Sequence, residues 1–359
     1  MSEAGKPIGE LGERALLRHL RSRIPAGEGV VLGVGDDAAA VMTGPLTLLT
    51  SDVLVEHTHF KLEWAPPRLL GRKALSINIS DVAAMGGIAR QALVCLCLRP
   101  EITLDFVDAL YDGLLERAAE TGVSIVGGNL ASTNGPIVVD ITVLGHGDHL
   151  LTRTGASPGD RIVVTGQLGA AATGLRLLSE GARLDSDGTL VATGLWTESS
   201  RQPIEHCLRA QLDPAPPWAL ARLLAERQLV HAAMDLSDGL SGDLLTLCEA
   251  SEVAAAIDLA ALPVDPHAAS LTRARGGDAL GLALHGGEDY QLLLAVAPDA
   301  LAEVSEAAAM WEIPLADVGE IMAGAPALAQ RGSDGLRPLN PRSHDHFAPS
   351  LGMGMTPQP

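Results

Sequence analysis

Five acidic segments carry the residue types that could do chemistry in this chain. They are GDD at 35–37, TSD at 50–52, NISD at 78–81, DLSD at 235–238 and GED at 287–289. Carboxylate and hydroxyl oxygens are the hard ligands that Mg²⁺ prefers, usually together with water and substrate phosphates. Such segments, gathered from distant parts of a chain, build a magnesium–phosphate site. The pattern therefore favours metal-dependent phosphate chemistry.

Each acid also has an ordinary structural interpretation. The stretch DLSDGLSGDL at 235–244 resembles a helix start, with Ser237 or Asp238 as the N-cap before an apolar run. Asp289 is a second candidate cap. Asp81 lies in a largely apolar helical segment, where a buried carboxylate needs a cation or hydrogen-bond donors. From the residues alone, the capping and ligand interpretations both stay open.

Two histidines follow Asp52 in SDVLVEHTHF at 51–60. If the whole run is a strand, alternation places His57 and His59 on the face of Val53 and leaves Asp52 on the other face. Asp52 and His59 would then have different roles. His59 is either a structural histidine or a substrate contact.

The usual phosphate-binding motifs are absent from the sequence. It contains no GxxxxGK[ST], no strand-linked GxGxxG, and no calcium-loop spacing around DLSDGLSGD. Its only lysines are Lys6, Lys61 and Lys73. An anionic ligand such as a nucleotide would therefore need divalent cations between its phosphates and this acidic protein.

Composition narrows the class of protein. A chain of 359 residues suggests two domains. Its net charge of −19 argues against nucleic acid and against an anionic membrane surface. No run reaches the roughly 18 apolar residues of a transmembrane helix, and the N-terminus lacks a signal-peptide layout, so we expect a cytoplasmic protein. Cys95 and Cys97 in ALVCLCL are best explained as buried thiols.

The elements that must position these acids alternate between strand and helix patterns, which predicts an α/β (α+β) fold. A helix opened by proline and closed by a glycine pair is expected over PPRLLGRKALSINISDVAAMGG. The turn-rich LTRTGASPGD at 151–160 marks a domain boundary. We therefore expect domains at 1–150 and 151–341, with a tail at 342–359.

Eight motifs in order carry a family resemblance over residues 35–347. They are GDDAA, SDVLVEHTHF, KALSINISDVAAMGG, VGGN, LTRTGASPGD, DLSDGLSGDL, GGEDYQL and DHF. This order resembles the thiamine-monophosphate kinase family of the aminoimidazole ribonucleotide synthetase-like superfamily. The resemblance implies an N-terminal α/β domain that contributes strands to a β-barrel across a homodimer, followed by a C-terminal α/β domain.

The resemblance also implies a reaction: ATP-dependent phosphorylation of thiamine monophosphate to thiamine diphosphate, by direct in-line transfer with several Mg²⁺ ions. The implied metal ligands are Asp37, Thr50, Ser51, Asp52, Asp81, Asn129, Asp235 and Asp238. The implied ATP contacts are Gly128, Asn129, Arg153 and Ser237. The implied substrate contacts are His59, Glu288 and His344. No general base is assigned, since a phosphate acceptor is already ionised near neutral pH.

The sequence departs from the family pattern at two of these positions. Asn129 stands where the family usually has aspartate, which offers one ligand oxygen without a charge. His344 stands where the family has an aromatic Trp or Tyr. These two departures support an alternative: a non-catalytic nucleotide-binding or regulatory member of the superfamily. The retained aspartates favour the enzyme.

Overall fold

The computed structural model describes residues 7, 10, 13–25, 27–32, 40–44, 46–191, 198–332 and 334–342. Within them the chain forms a four-stranded sheet, a seven-stranded sheet and a two-stranded pair. The helices are α1 Glu13–Arg23, α2 Pro67–Ala84, α3 Leu104–Thr121, α4 Ala170–Ser179, α5 Arg201–Leu212, α6 Trp218–Glu226, α7 Leu240–Ser251, α8 Pro266–Ala274, α9 Ala279–His285 and α10 Leu301–Ala309. Short 3₁₀ turns lie at Glu198–Ser200 and Leu259–Ala261.

The strands fall into two groups along the chain. They are β1 Val30–Leu32, β2 Ala40–Val41, β3 Thr47–Val55, β4 Ile88–Leu98, β5 Ser124–Ser132, β6 Val138–His146, β7 Arg161–Thr165, β8 Ala232–Asp235, β9 Ala254–Ile257, β10 Leu292–Val296, β11 Leu315–Met322, β12 Leu328–Gly332 and β13 Gly335–Pro338. The predicted two-domain α/β class is confirmed, with one mixed sheet in each domain. Neither sheet closes into a barrel within the described part of the chain.

The N-terminal sheet has the order β3-β6-β4-β5. Strands β3 and β4 pair with β6 in antiparallel fashion, and β4 pairs with β5 in parallel. One face packs against α2, with Leu48, Leu54 and Val94 buried there. The other face, which we call the open face, carries exposed Leu49 and Val53. This asymmetry leaves a partly apolar surface without a covering layer in the described residues.

Helix α2 is buried almost all round, as expected for a helix that is apolar on most of its faces. It starts with Pro67, where no helical amide partner is required. It packs against α3 and the N-terminal sheet on one side, and against α6 and β8 on the other. A methyl group at Gly71 would lie 2.0 Å from the Leu110 carbonyl oxygen, so glycine allows α2 and α3 to pack closely.

The C-terminal sheet has the order β13-β12-β9-β11-β7-β10-β8. Its pairs are antiparallel except β9 with β12. Strand β8 is an edge strand that ends at Asp235, opposite Leu292 of β10. Because α2 packs beside β8, the C-terminal end of α2 and the end of β8 lie close together.

The strand prediction over SDVLVEHTHF is wrong beyond Val55. Strand β3 ends there, and His57 has a left-handed backbone with φ of 70°. Alternation therefore does not place His57 and His59 on the face of Val53. The His59 amide instead donates to the Val55 carbonyl at 2.8 Å, which turns the chain back on itself.

Two further findings concern membrane-spanning helices and the cysteines. In the described part of the chain, no helix is both long and apolar enough to cross a membrane. All four cysteines are free: Cys207 and Cys248 are buried, whereas Cys95 and Cys97 are only half-buried. The last two lie on the open face of β4, so the prediction that they are buried thiols is wrong.

Candidate functional site

The first part of the site joins β3 to α2. Thr50 and Asp52 lie on the β3 face that packs against α2, and Asp81 lies in the last turn of α2. The Thr50 hydroxyl donates to Asp81 Oδ2 at 2.5 Å. The Asp52 amide donates to Asn78 Oδ1 at 3.1 Å. Two segments predicted to supply ligands, TSD and NISD, are thus brought together by the packing of one strand on one helix.

Asp235 joins this group from the C-terminal sheet. Its side chain is buried, and its Oδ2 accepts the Ser80 hydroxyl at 2.6 Å. Ser80 is the neighbour of Asp81 on α2, so the helix links the carboxylates of both domains. The predicted meeting of Asp81 with Asp235 is therefore found in the structure.

The electrostatics of this group are those of crowded, largely buried carboxylates. Burial, together with the charges of the nearby carboxylates of Asp81 and Asp235, raises the pKa of Asp52 to about 7. Burial also raises the pKa of Asp81, and it raises that of Asp235 to about 6. The positive charge of the exposed Arg153 opposes the rise for Asp81 and Asp235.

Carboxylates in this state fit a divalent cation, because its charge would replace the protons that they otherwise retain. Thr50 adds a hydroxyl oxygen to the donor set. In the described residues, however, no group of three or more His, Cys, Asp or Glu side chains is already arranged to hold a metal ion. Asp37, the remaining predicted carboxylate from the N-terminal segment, lies outside the described residues.

The DLSD segment leaves β8 as a loop that leads into α7. The prediction that Ser237 or Asp238 caps this helix is wrong: the N-cap is Gly239, and no side chain caps it. The buried Asp243 carboxylate instead accepts the amides of Asp238 and Gly239, at 3.2 and 3.1 Å. These two hydrogen bonds fix the loop from its buried side. Ser237 is half-buried and Asp238 is exposed.

The GGED segment is tied to the same loop. The Glu288 amide donates to the Ser237 carbonyl at 2.7 Å, and the Tyr290 amide donates to the Leu236 carbonyl at 2.8 Å. Asp289 accepts the Gly169 amide at 2.9 Å, at the start of α4. Asp289 therefore contacts the start of a helix that is distant in sequence, whereas the N-cap of α4 itself, Gly169, has no side-chain cap.

Ser51, Gly128 and Asn129 are not brought into this group within one chain. The Ser51 hydroxyl points to the open face, where it contacts Asp140 and Thr142, each at 3.0 Å. Asn129 pairs with Cys95 on that same face, at the opposite edge of the sheet. Three strand spacings, roughly 14 Å, separate β5 from β3.

Gly128 itself is required by close backbone approach. A methyl group at this position would lie 1.8 Å from the Val94 carbonyl oxygen of the neighbouring strand β4. Any larger residue would push β5 away from β4. The glycine of VGGN therefore has a structural reason that is independent of ligand binding.

His59 and Glu288, the two predicted substrate contacts that the structure describes, lie at a second, smaller site. The Lys73 ammonium donates to Glu288 Oε1 at 2.6 Å, and the Gln211 amide donates to Oε2. Burial would raise the pKa of Glu288, but the charge and hydrogen bond of Lys73, with Gln211 and His59, hold it below its usual value. Glu288 is thus a charged, half-buried acceptor.

A cavity beside Glu288 lies between the two domains. His59, Phe60, Trp64, Lys73 and Gln211 line it, together with leucines of α2, α4 and α5. His59 Nδ1 accepts the Val55 amide at 3.0 Å, which leaves the proton of the neutral ring on Nε2. His344, the third predicted substrate contact, lies outside the described residues.

Four residues of these sites were not predicted from the sequence: Ser80, Lys73, Gln211 and Asp243. Ser80 and Lys73 stand inside the quoted helix motif, and Lys73 is one of only three lysines, which was the available signal. Gln211 contacts Glu288 from far along the chain, in a segment with no distinctive pattern. Nothing local pointed to it.

Comparison with known proteins gives consistent matches over most of the chain. The profile of the AIR synthase related protein, N-terminal domain, matches residues 35–146, and that of the C-terminal domain matches residues 157–327. A thiamine-monophosphate kinase of Rhodopirellula baltica is 31% identical over 319 residues, which is 86% of this chain and 89% of that protein.

Solved structures give the same result. The thiamine-monophosphate kinase of Stenotrophomonas maltophilia aligns with a TM-score of 0.76 at 32% identity, over 88% of this chain and 96% of that one. The structure of AaThiL complexed with AMPPCP and TMP aligns with a TM-score of 0.73 at 27% identity, over 94% and 98% of the two chains.

Proposed function

The chain belongs to the thiamine-monophosphate kinase family of AIR synthase related proteins, and from this we propose that it phosphorylates thiamine monophosphate with ATP. The products would be thiamine diphosphate and ADP. The relative whose structure holds AMPPCP and TMP supports this pair of substrates. The observation in this chain that carries the proposal is the group formed by Thr50, Asp52, Asp81 and Asp235, with the charge of Arg153 acting on the last two.

We assign the metal-binding role to this group, with Asp37 and Asp238 as further ligands. When bound there, Mg²⁺ would neutralise charge on the nucleotide and on the transferred phosphoryl group. Arg153, Ser237 and Gly128 are the proposed ATP contacts. Arg153 adds a fixed positive charge, and the backbone of the Ser237 loop is held in place by Asp243 and Glu288.

The transfer itself is proposed to be direct and in line, with the acceptor phosphate attacking the γ-phosphorus. That phosphate carries most of its second negative charge near neutral pH, so no general base is needed. The chain's task is then to orient two anionic substrates and to keep water out. His59, Glu288 and His344 would hold the thiamine end of the acceptor.

We also propose that the protein is a homodimer in which two N-terminal sheets close an eight-stranded barrel. Strands β3 and β5 are both sheet edges, and the open face between them exposes 68% of Leu49 and 44% of Val53. Pairing β3 of one copy with β5 of another would cover this face. It would also bring Ser51 towards Asn129 of the second copy, which one chain cannot do.

The remaining assignments rest on the family and the sequence. We propose domain limits of 1–150 and 151–341 with a tail at 342–359, and a cytoplasmic location without nucleic acid or membrane partners. The two family profiles and the two sheets fall on either side of residues 147–156, in agreement with these limits.

The test is an assay of purified protein with ATP, MgCl₂ and thiamine monophosphate, with thiamine diphosphate and ADP quantified by chromatography. We expect equimolar products, and none when the metal is chelated. Nucleotide binding without product would instead favour the non-catalytic alternative. Product formation without any divalent cation would refute the assigned role of the aspartates.

A further inference from the structure

The backbone that leads into Arg153 is held to α2 and to β8. The Leu151 amide donates to the carbonyl of Met85, the C-cap residue of α2, at 3.0 Å. The Thr152 carbonyl accepts the amide of Ala233, which lies in β8, at 2.8 Å. These two elements carry carboxylates of the candidate metal site. The chain therefore reaches Arg153 from the place where α2 and β8 meet.

A side chain from a third element holds the backbone at Arg153 and beyond. Ser251 is the last residue of α7 and is half-buried. Its hydroxyl donates to the Arg153 carbonyl at 2.8 Å and accepts the Ala156 amide at 3.2 Å. One hydroxyl thus closes the turn as both donor and acceptor. The turn also packs tightly, because a methyl group at Gly155 would lie 2.6 Å from the His231 carbonyl oxygen.

The Arg153 side chain is exposed, although its backbone is fixed on both sides. Its positive charge opposes the rise in the pKa of Asp81 and of Asp235, so the guanidinium acts on the candidate metal site. A long side chain loses conformational freedom when it holds a ligand, and a backbone that is ordered in advance reduces this loss. The turn therefore prepares Arg153 to bind an anion at that site.

We propose that Ser251 is a positioning residue for ATP binding, because it holds the turn from which Arg153 reaches the nucleotide phosphates. The inference rests on the proposed function, in which Arg153 is an ATP contact. Ser251 acts through the Arg153 backbone and does not touch the nucleotide. Without its hydroxyl, the Arg153 carbonyl and the Ala156 amide lose their partner. The turn then relaxes, and the arginine binds phosphate less well.

The experiment measures the Kd of MgATP by calorimetry and the KM for ATP at saturating thiamine monophosphate, on full-length protein. We expect Ser251→Ala to raise both by about three- to tenfold, the effect of losing one or two hydrogen bonds. The kcat should change by less than about twofold, because a binding interaction common to ground and transition states is weakened. Ser251→Thr keeps the hydroxyl and should restore both values to within about twofold of the wild type.

A double-mutant cycle tests whether Ser251 acts through Arg153. Arg153→Ala should raise the Kd of MgATP by at least about tenfold, since a charge-assisted contact is lost. Adding Ser251→Ala to that variant should change the Kd by less than about twofold. If the two effects multiply instead, Ser251 has a general structural role and the inference is overturned. An unchanged Kd in Ser251→Ala overturns it as well.

The matched control is Ser179→Ala. Ser179 is also the last residue of a helix, α4, and its hydroxyl also donates to an arginine carbonyl, that of Arg176, at 2.6 Å. Arg176 belongs to neither candidate site, so the Kd of MgATP and the KM for ATP should keep their wild-type values. A rise equal to that of Ser251→Ala would show that any such helix end has this effect, and would overturn the inference.

The binding measurement separates this inference from the proposed function. If MgATP binds with the expected dependence on Ser251 and Arg153 but no thiamine diphosphate is formed, the inference stands and the proposed function fails. If thiamine diphosphate is formed but the Kd of MgATP does not depend on Ser251, the function stands and the inference fails. If MgATP does not bind, both fail.

Discussion

Two groups of carboxylates in this molecule have similarly raised pKa values but different hydrogen-bond partners. In the candidate metal site, burial raises the pKa of Asp52 to about 7 and that of Asp235 to about 6. Elsewhere, burial raises the pKa of Asp243 to about 8 and that of Asp289 to about 7. A raised pKa alone therefore does not separate a ligand from a structural acid.

The hydrogen-bond partners do separate them. Asp243 and Asp289 accept backbone amides at the starts of helices, and so does Asp265, from Ala268 at 2.8 Å. Asp81 and Asp235 each accept a side-chain hydroxyl, from Thr50 and Ser80, and both raise the pKa of Asp52 by their charge. A carboxylate whose oxygens accept backbone amides has fewer lone pairs left for a cation. One that faces other carboxylates has a reason to bind it.

The largest effect is expected for Asp235→Asn. Removing the charge of this proposed metal ligand should lower kcat/KM at least about 100-fold, since such groups act on charge developed in the transition state. Thermal stability should stay equal or rise, because one of several crowded anions is removed. Steady-state kinetics and thermal unfolding monitored by circular dichroism measure the two effects.

Asp299→Asn is the control for this variant. It changes an exposed acid beyond the opposite end of β10, and both properties should keep their wild-type values. A large loss of stability with retained turnover in Asp235→Asn would move Asp235 into the structural group and end the distinction.

The next effect in size is expected for Asp243→Ala. Two amides, the half-buried one of Asp238 and the buried one of Gly239, lose their acceptor, so the free energy of unfolding should fall by about 1–3 kcal/mol. Urea unfolding measures this change. Asp243→Asn keeps an acceptor oxygen and should lose much less. Equal losses in the two variants would show that the charge of Asp243, and not its hydrogen bonds, supports the loop.

The smallest effect concerns Asp265 and its partner His206, joined at 2.8 Å. The hydrogen bond to Asp265 raises the pKa of His206 above its usual 6.5. For Asp265, burial would raise the pKa, but the hydrogen bonds from His206 and from the Ala268 amide keep it below 3.8. The contribution of His206 is therefore complete below pH 6.5 and is lost as pH rises through its raised pKa.

His206→Gln should accordingly lower the free energy of unfolding at pH 5.5 more than at pH 8.5. The difference should be less than about 1 kcal/mol, because the imidazole is 44% exposed and screened by solvent. Urea unfolding at the two pH values measures it. A larger loss at pH 8.5 would show that the protonated imidazole does not contribute.

Much of the fold was predictable because its signals are local. The proline and glycine pair around α2, and the apolar residues between them, predicted a helix that the structure places at Pro67–Ala84. From the sequence, Asp81 and Asp235 could be predicted to lie close together only because both were expected to be ligands of one site. Its physical cause, the packing of α2 beside β8, requires the three-dimensional arrangement.

The failures have a common cause. Which side chain accepts the backbone amides of this loop, Ser237 or Asp243, depends on the path of the backbone after β8. The backbone turns at Gly239, where φ is 110°. The side of the chain on which His59 lies depends on the left-handed backbone of one residue, His57. Gln211 depends on a contact between segments far apart in the chain. In each case a long-range or single-residue event overrides a regular pattern.

The burial of α2 in both domains has a consequence for how this protein folds. Leu69, Leu75 and Val82 lie in a core shared with α4 and α5, whereas Ala83 and Ala84 lie in the core of α6 and β10. Neither half can lose its packing without exposing this helix to water. We therefore expect the two domains to unfold as one cooperative unit, and a ligand that binds at Asp81 to stabilise both halves at once.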